Sequence, residues 1–136
     1  MKKVLRASLI YVVLGLLAGV YYRELTRSLG FTGQTMLSNV HPHLIVLGGV
    51  FPLVLQLVAA QVKRSLTDMK WAYGFYNGGL VLTVVMMLVR GTLQAQGTVF
   101  TSGMNGMLAG IAGIGHGMLG IALTVMLYKL YKSLPG

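Results

Sequence analysis

The sequence predicts an all-α integral membrane protein, a four-helix bundle that forms a single domain over residues 1–136. Three observations predict this class. The chain is 55% hydrophobic and only 10% charged, whereas about a quarter of the residues in soluble domains are charged. Four apolar stretches each approach the ~20 residues that a helix needs to cross a bilayer. The basic residues, finally, are divided unequally between the two ends of these stretches.

The four spans are placed near residues 4–22, 41–62, 71–90 and 107–128. Tyr21 and Tyr22 close the first span, and Trp71 opens the third, as aromatic residues do at membrane interfaces. The polar segments between the first and second spans and between the third and fourth are expected to be loops or short surface helices.

Two prolines affect the expected geometry of the second span. Pro42 fits the first turn of a helix, where its missing N–H costs nothing. Pro52 lies within the span and should kink the helix by leaving the carbonyl of Gly48 without its usual donor.

The net charge of +9 predicts the orientation of the chain. Arg23, Arg27 and Arg90 fall on one side of a four-span topology. Eight basic residues fall on the other: Lys2, Lys3, Arg6, Lys63, Arg64, Lys70, Lys129 and Lys132. The positive-inside rule then puts both termini in the cytoplasm. Because no soluble domain is present to carry a nucleic-acid surface, the charge predicts no nucleic-acid partner; the expected environment is the lipid bilayer.

Composition excludes several chemistries. The chain has no cysteine, so disulfides, thiolate metal sites, iron–sulfur clusters and covalently attached c-type haem are excluded. Its two acidic residues, Glu24 and Asp68, each lie beside basic residues in a predicted loop. Paired-carboxylate catalysis and carboxylate-rich di-iron sites are therefore not expected.

His41 and His43 lie two residues apart at the start of the second span. Imidazole is the commonest metal ligand among side chains, and ionisable residues near a membrane interior are functional candidates by default. Two residues along a helix correspond to a rotation of ~200°. The two histidines therefore face nearly opposite ways, which suits a helix between two cofactors better than one ion held by both.

The fourth span carries a stripe of glycines at alternating spacings of three and four: Gly103, Gly106, Gly110, Gly113, Gly117 and Gly120. Such a stripe lets membrane helices approach closely; the alternative is a flat face that makes room for a macrocycle. His116 lies beside this stripe. On an ideal-helix count it is ~12 Å deep, whereas His43 is only ~3 Å deep. We keep three roles open for His116, namely a hydrogen bond to a neighbouring helix, a metal ligand and a proton relay.

Two neutral imidazoles can hold a haem iron from opposite faces when they lie at similar depth in an apolar slot. The ~9 Å difference in depth disfavours His43 with His116 in one protomer. His41 of one protomer facing His43 of the next meets the condition. We therefore predict haem b between protomers of a cyclic oligomer, with His41 and His43 as axial ligands and His116 as the alternative ligand.

The run from Val40 to Leu44, followed by Gly48 and Phe51, resembles the tenth helix of the haem-copper oxidase catalytic subunit. In that family a His-x-His serves two haems, one imidazole on each side. The twelve helices of the family form three pseudo-equivalent groups of four, so the resemblance implies a homotrimer that mimics a twelve-helix subunit. With Gly115-His116-Gly117 added, the whole chain also resembles a small bacterial four-helix membrane family, domain of unknown function 2871. That resemblance implies a bacterial plasma membrane.

The chain departs from the oxidase pattern at the copper-site histidines, the crosslinked tyrosine and the paired arginine that holds the haem propionates. Arg90 is the nearest analogue of that arginine, with Arg23 and Arg27 as further candidates for carboxylate pairing. A haem held by two histidines has no open coordination position, so electron transfer is expected rather than oxygen reduction. The electron donor and acceptor, and any turnover of a substrate, stay open.

Two other functions remain as alternatives. One is a structural or accessory four-helix membrane protein without a cofactor. The other is a copper or zinc site at His41 and His43, with His116 lower in a transport path. Soft thioether ligands for copper are Met86, Met87, Met104, Met107 and Met118, although methionine also fills gaps in apolar helices.

Overall fold

The computed structural model describes residues 1–134 and is all-α. Its four long helices are α1 (Lys2–Ser28), α2 (Leu37–Gln61), α3 (Lys70–Ala95) and α4 (Ser102–Tyr131). A short 3₁₀ helix, Leu66–Asp68, precedes α3. All four long helices have the length and hydropathy needed to cross a membrane. The predicted all-α chain with four membrane-length helices is confirmed.

The helices extend beyond the apolar stretches that predicted them. Gly30 and Gly97 end α1 and α3 in the left-handed conformation, with φ of 61° and 74°. At the end of α1, Gly30 N–H donates to Arg27 O at 3.2 Å and Phe31 N–H donates to Thr26 O at 2.9 Å. This pair of bonds is a Schellman motif, which favours glycine. Hydropathy predicts only the apolar part of each helix. The observed ends of α1 and α3 lie further along the chain, at these two glycines.

The start of α2 also differs from expectation. The helix begins at Leu37, four residues before His41, so Pro42 lies inside the helix rather than in its first turn. Thr35 anchors the approach to α2, because its hydroxyl donates to the carbonyl of Gly91 in α3 at 2.6 Å. This contact sets the N-terminal end of α2 against the C-terminal end of α3.

The centre of α2 is π-helical from His43 to Val50. In this register Phe51 N–H donates to Val46 O, so the next carbonyl, that of Leu47, faces Pro52, which has no N–H. The hydroxyl of Tyr76 in α3 donates to this carbonyl at 2.9 Å. The expected freed carbonyl, that of Gly48, was therefore the wrong one, because the expectation assumed an α-helical register. Short π-helical segments are frequent at functional sites.

Helix packing follows chain order, with α1 against α2, α2 against α3, and α3 along α4. Helices α3 and α4 approach closely at Gly79 and Gly115. A Cβ added at Gly79 would lie 2.8 Å from the Gly115 carbonyl oxygen. By contrast, a Cβ at any glycine of the α4 stripe would meet no atom of another described helix within 4 Å. The stripe is thus an open face of α4, and the close packing within the chain uses other glycines.

Candidate functional site

His43 of α2 and His116 of α4 lie side by side in one chain. Their ring centroids are 6.3 Å apart and their ring planes meet at 83°. His43 occupies the first position of the π-helical segment, and His116 lies at the middle of α4. His43 and His116 therefore form a pair within one chain, without any second copy.

Both imidazoles are held in the same tautomer by their own helices. His43 Nδ1 lies 2.8 Å from the carbonyl oxygen of Asn39, and His116 Nδ1 lies 2.9 Å from that of Ala112. A carbonyl oxygen only accepts, so each Nδ1 carries the proton and donates it. The Nε2 atom of each neutral ring then has the lone pair that a metal ligand needs.

A small cleft opens beside the pair, with a volume of about 230 Å³. Apart from the histidines and one arginine, its lining is aliphatic or thioether. The full set is Met36, His43, Met86, Met87, Arg90, Leu108, Ala112 and His116. Ligand pockets for small molecules usually enclose ~300–1,000 Å³. The cleft of one chain is therefore smaller than the usual small-molecule pocket.

Arg90 is the cationic side chain of this cleft. One of its terminal nitrogens, Nη2, donates to Asn105 Oδ1 at 3.2 Å, and its guanidinium carbon lies 5.8 Å from the centre of the Phe100 ring. Its Nε is buried and has no acceptor within residues 1–134. A guanidinium that lines the same cleft as two imidazoles is suited to bind a carboxylate.

His41 faces the other side of α2, as the helical rotation predicted. A Cβ added at Gly19 of α1 would lie 3.7 Å from the His41 Cβ and 3.8 Å from its Cγ, so the ring lies against α1. Its Nδ1 is buried and has no hydrogen-bond partner in the described chain. His41 and His43 therefore belong to different faces of α2, and His41 does not join the His43–His116 pair.

The contact between His43 and His116 was not predicted by the residue count from the expected helix starts. The count placed the two rings at depths that differ by ~9 Å, yet their centroids are 6.3 Å apart. Counted from the observed starts, Leu37 and Ser102, His43 and His116 lie about 9 Å and about 21 Å along their helices, so the difference does not shrink. The two helix starts are thus not a shared reference level. Met36 also enters the cleft from outside the predicted spans, and no motif marks it.

A site for a single metal ion needs several ligand side chains close together. Within residues 1–134, no group of three or more His, Cys, Asp or Glu side chains is placed to hold a metal ion. Structural zinc is almost always bound by four such ligands, and catalytic zinc by three. The described part of one chain therefore offers a pair of nitrogen ligands, not a zinc cage.

Four apolar helices with a histidine cleft between two of them fit the class of multi-pass α-helical membrane proteins. Within that class, the chain belongs to the family described as protein of unknown function DUF2871, whose model matches residues 1–133. This confirms the family predicted from the sequence. No curated protein and no solved structure gives a significant match. The resemblance of α2 to the oxidase helix stays a prediction.

Proposed function

We propose that this protein binds haem b within the membrane and transfers electrons, with His43 and His116 as the axial ligands. The observation that carries this proposal is the spacing of the two rings. Metal–nitrogen bonds of about 2.0–2.1 Å to imidazoles on opposite sides of one ion put the ring centroids roughly 6–6.5 Å apart. The observed separation is 6.3 Å.

The surroundings of the pair support haem over a bare ion. Iron porphyrin needs an apolar, water-poor slot, and the cleft walls from α3 and α4 are largely methionine, leucine and alanine. Arg90 supplies the cation that a propionate requires. Bound there by two histidines, haem supplies a one-electron iron couple without an open coordination position. Electron transfer is therefore the proposed role, rather than oxygen reduction.

A second protomer is part of the proposal. The cleft of one chain, about 230 Å³, is smaller than a macrocycle needs. His116 is exposed at the middle of an apolar helix, where lipid would leave its Nε2 without a polar partner. The open glycine stripe lies on the same helix. A homotrimer that covers this face would complete the cavity, with both termini in the cytoplasm of a bacterial cell.

The resemblance to the oxidase helix gives His41 a defined alternative role. In that arrangement His41 of one protomer and His43 of the next would share a haem, and His116 would line the pocket. The geometry within one chain favours the His43–His116 pair, because His41 lies on the α1 side of α2.

The test is the visible absorption spectrum of the detergent-purified protein, oxidised and then reduced with dithionite, with a pyridine haemochrome assay. The proposal predicts a sharp α-band on reduction and about one haem per chain. A protein that stays colourless after haem is supplied during expression would overturn it.

Copper is the second candidate, and one observation favours it. Met36, Met86 and Met87 line the same cleft as the two histidines, and thioether with imidazole is a ligand set suited to Cu(I). Metal analysis of the purified protein separates the two candidates. Copper at one per chain without haem would support this alternative, and iron bound as haem would exclude it.

A further inference from the structure

We propose that a groove between α3 and α4, at the basic end of the molecule, binds one anionic phospholipid. An acyl chain would lie along the groove, and the phosphate would lie at Lys129. This site is separate from the histidine cleft and does not depend on haem. Its occupant is defined by two features that occur together, an apolar channel and a cation at its mouth.

The channel has a volume of about 270 Å³. Two buried alanines, Ala72 of α3 and Ala122 of α4, are its small residues. Larger side chains flank them: Trp71, Phe75, Ile121 and Val125, each exposed in the chain. An open apolar channel of this kind fits a hydrocarbon chain.

The mouth of the groove has the features of a membrane interface. Lys129 lines the same groove and is exposed. Trp71, which is 92% exposed, lies on the opposite wall. Tryptophan is enriched at the level of lipid headgroups, and a lysine near a helix end extends its ammonium group to the same level. The phosphate of a lipid in the groove would therefore lie close to Lys129.

The charge around this mouth is positive and largely uncompensated. Lys70 begins α3, and Lys132 follows α4, with its Nζ 5.8 Å from the centre of the Tyr128 ring. Asp68 is the acidic side chain at this end, and Oδ2 of its carboxylate already accepts from Ser65 N–H at 2.8 Å. Basic clusters between membrane helices favour anionic lipid headgroups over zwitterionic ones.

Charge also decides among possible occupants. A second copy of this chain docked on the groove would bring its own lysines toward Lys129, and like charges at close range repel. Free phosphate would use the lysine but leave the apolar channel empty. A phospholipid with an anionic headgroup uses both halves of the site.

The single tryptophan of the chain, Trp71, is a reporter inside the site. The protein is reconstituted in bilayers that contain brominated phosphatidylglycerol or brominated phosphatidylcholine, and the quenching of Trp71 fluorescence gives their relative affinity. We expect the anionic lipid to be preferred about fivefold, the effect of roughly one basic residue at a lipid surface.

Lys129→Gln should bring this preference close to one. Lys3→Gln, which removes the same charge from α1 at the same end of the molecule, should leave it unchanged. Equal quenching of the wild-type protein by both lipids would overturn the proposal. So would an equal loss of preference in both variants, because the selectivity would then come from the charge of the whole end rather than from the groove.

Val125→Phe provides a second test, because it narrows the channel at an exposed position while Lys129 remains. This variant should reduce the quenching of Trp71 by phosphatidylglycerol brominated on its acyl chain. Quenching equal to that of the wild-type protein would contradict the placement of the chain in the groove.

Discussion

The imidazole rings of His43 and His116 lie 6.3 Å apart, and each donates its Nδ1 proton to the carbonyl four residues earlier in its own helix. The arrangement defines both the separation of the rings and the tautomer of each imidazole. The distance is compatible with the proposed metal ion between the rings, and the tautomer leaves the Nε2 lone pair of both rings available to such an ion. The cleft around this pair, the packing that positions it and the assembly proposed to close it can each be tested by substitution.

Arg90→Gln should weaken haem binding by about tenfold, which corresponds to ~1.4 kcal/mol. The reason is the loss of the charge-assisted hydrogen bond that Arg90, which lines the cleft, is proposed to donate to a propionate. Haem titration of the apoprotein measures the change. Arg23→Gln is the matched control, because the Arg23 side chain is 78% exposed and lies outside the cleft. Equal affinities for Arg90→Gln and the wild-type protein would show that Arg90 holds no propionate.

Gly115→Ala should destabilise the protein by ~1–3 kcal/mol, the usual cost of overpacking. The added Cβ would lie 2.5 Å from Thr83 Oγ1 and 3.0 Å from Thr83 N, and the backbone nitrogen cannot move aside easily. Gly74→Ala makes the same change where a Cβ meets open space, so it should have no cost and gain helix propensity. Thermal unfolding in detergent measures both. A Gly115→Ala protein as stable as Gly74→Ala would contradict the close approach of α3 and α4.

Tyr76→Phe should lower the free energy of unfolding by about 1 kcal/mol, because it leaves the half-buried carbonyl of Leu47 without a donor. Tyr76 is 2% exposed, and its hydroxyl is the group that bonds the Leu47 carbonyl opposite Pro52. Denaturant unfolding followed by circular dichroism measures the change. Pro52→Ala in the Tyr76→Phe background should recover part of the loss, because alanine, unlike proline, has a backbone N–H to donate near that carbonyl. No recovery would argue against this account of the π-helical segment.

Light scattering of the purified protein in detergent should give three times the 14.6 kDa chain mass. Gly113→Leu should raise the dissociation constant of the trimer at least about tenfold, since it adds a large side chain to the open stripe where helices would meet. Gly74→Leu adds the same side chain at an open position of α3 and should leave the mass unchanged. Assembly through the stripe would be excluded if the wild-type protein were monomeric. It would also be excluded if Gly113→Leu left the dissociation constant of the trimer unchanged.

The parts of the fold that depend on local sequence were predictable. Four long apolar stretches are enough to indicate four spans, because a bilayer imposes one length on each helix. The opposite directions of His41 and His43 also followed from helical rotation alone. Both predictions use only the regular geometry of one helix.

The contacts between helices were not predictable in the same way. The pairing of His43 with His116 depends on where α2 and α4 begin relative to each other. The contacts that place the helices join residues far apart in the sequence, as Thr35 does with Gly91 of α3. The glycine pattern of α4 is typical of a close helix contact along the stripe, yet the glycine that packs against α3 is Gly115, outside the stripe. A single sequence does not indicate which glycine of a helix packs against another helix.

The most direct test of the central claim is the haem content and reduced α-band of three purified variants, His41→Ala, His43→Ala and His116→Ala. Ligation by the pair within one chain predicts that His43→Ala and His116→Ala each lose the low-spin spectrum, whereas His41→Ala retains it. Loss in His41→Ala and His43→Ala with retention in His116→Ala would contradict this account and assign the haem to the interface between protomers.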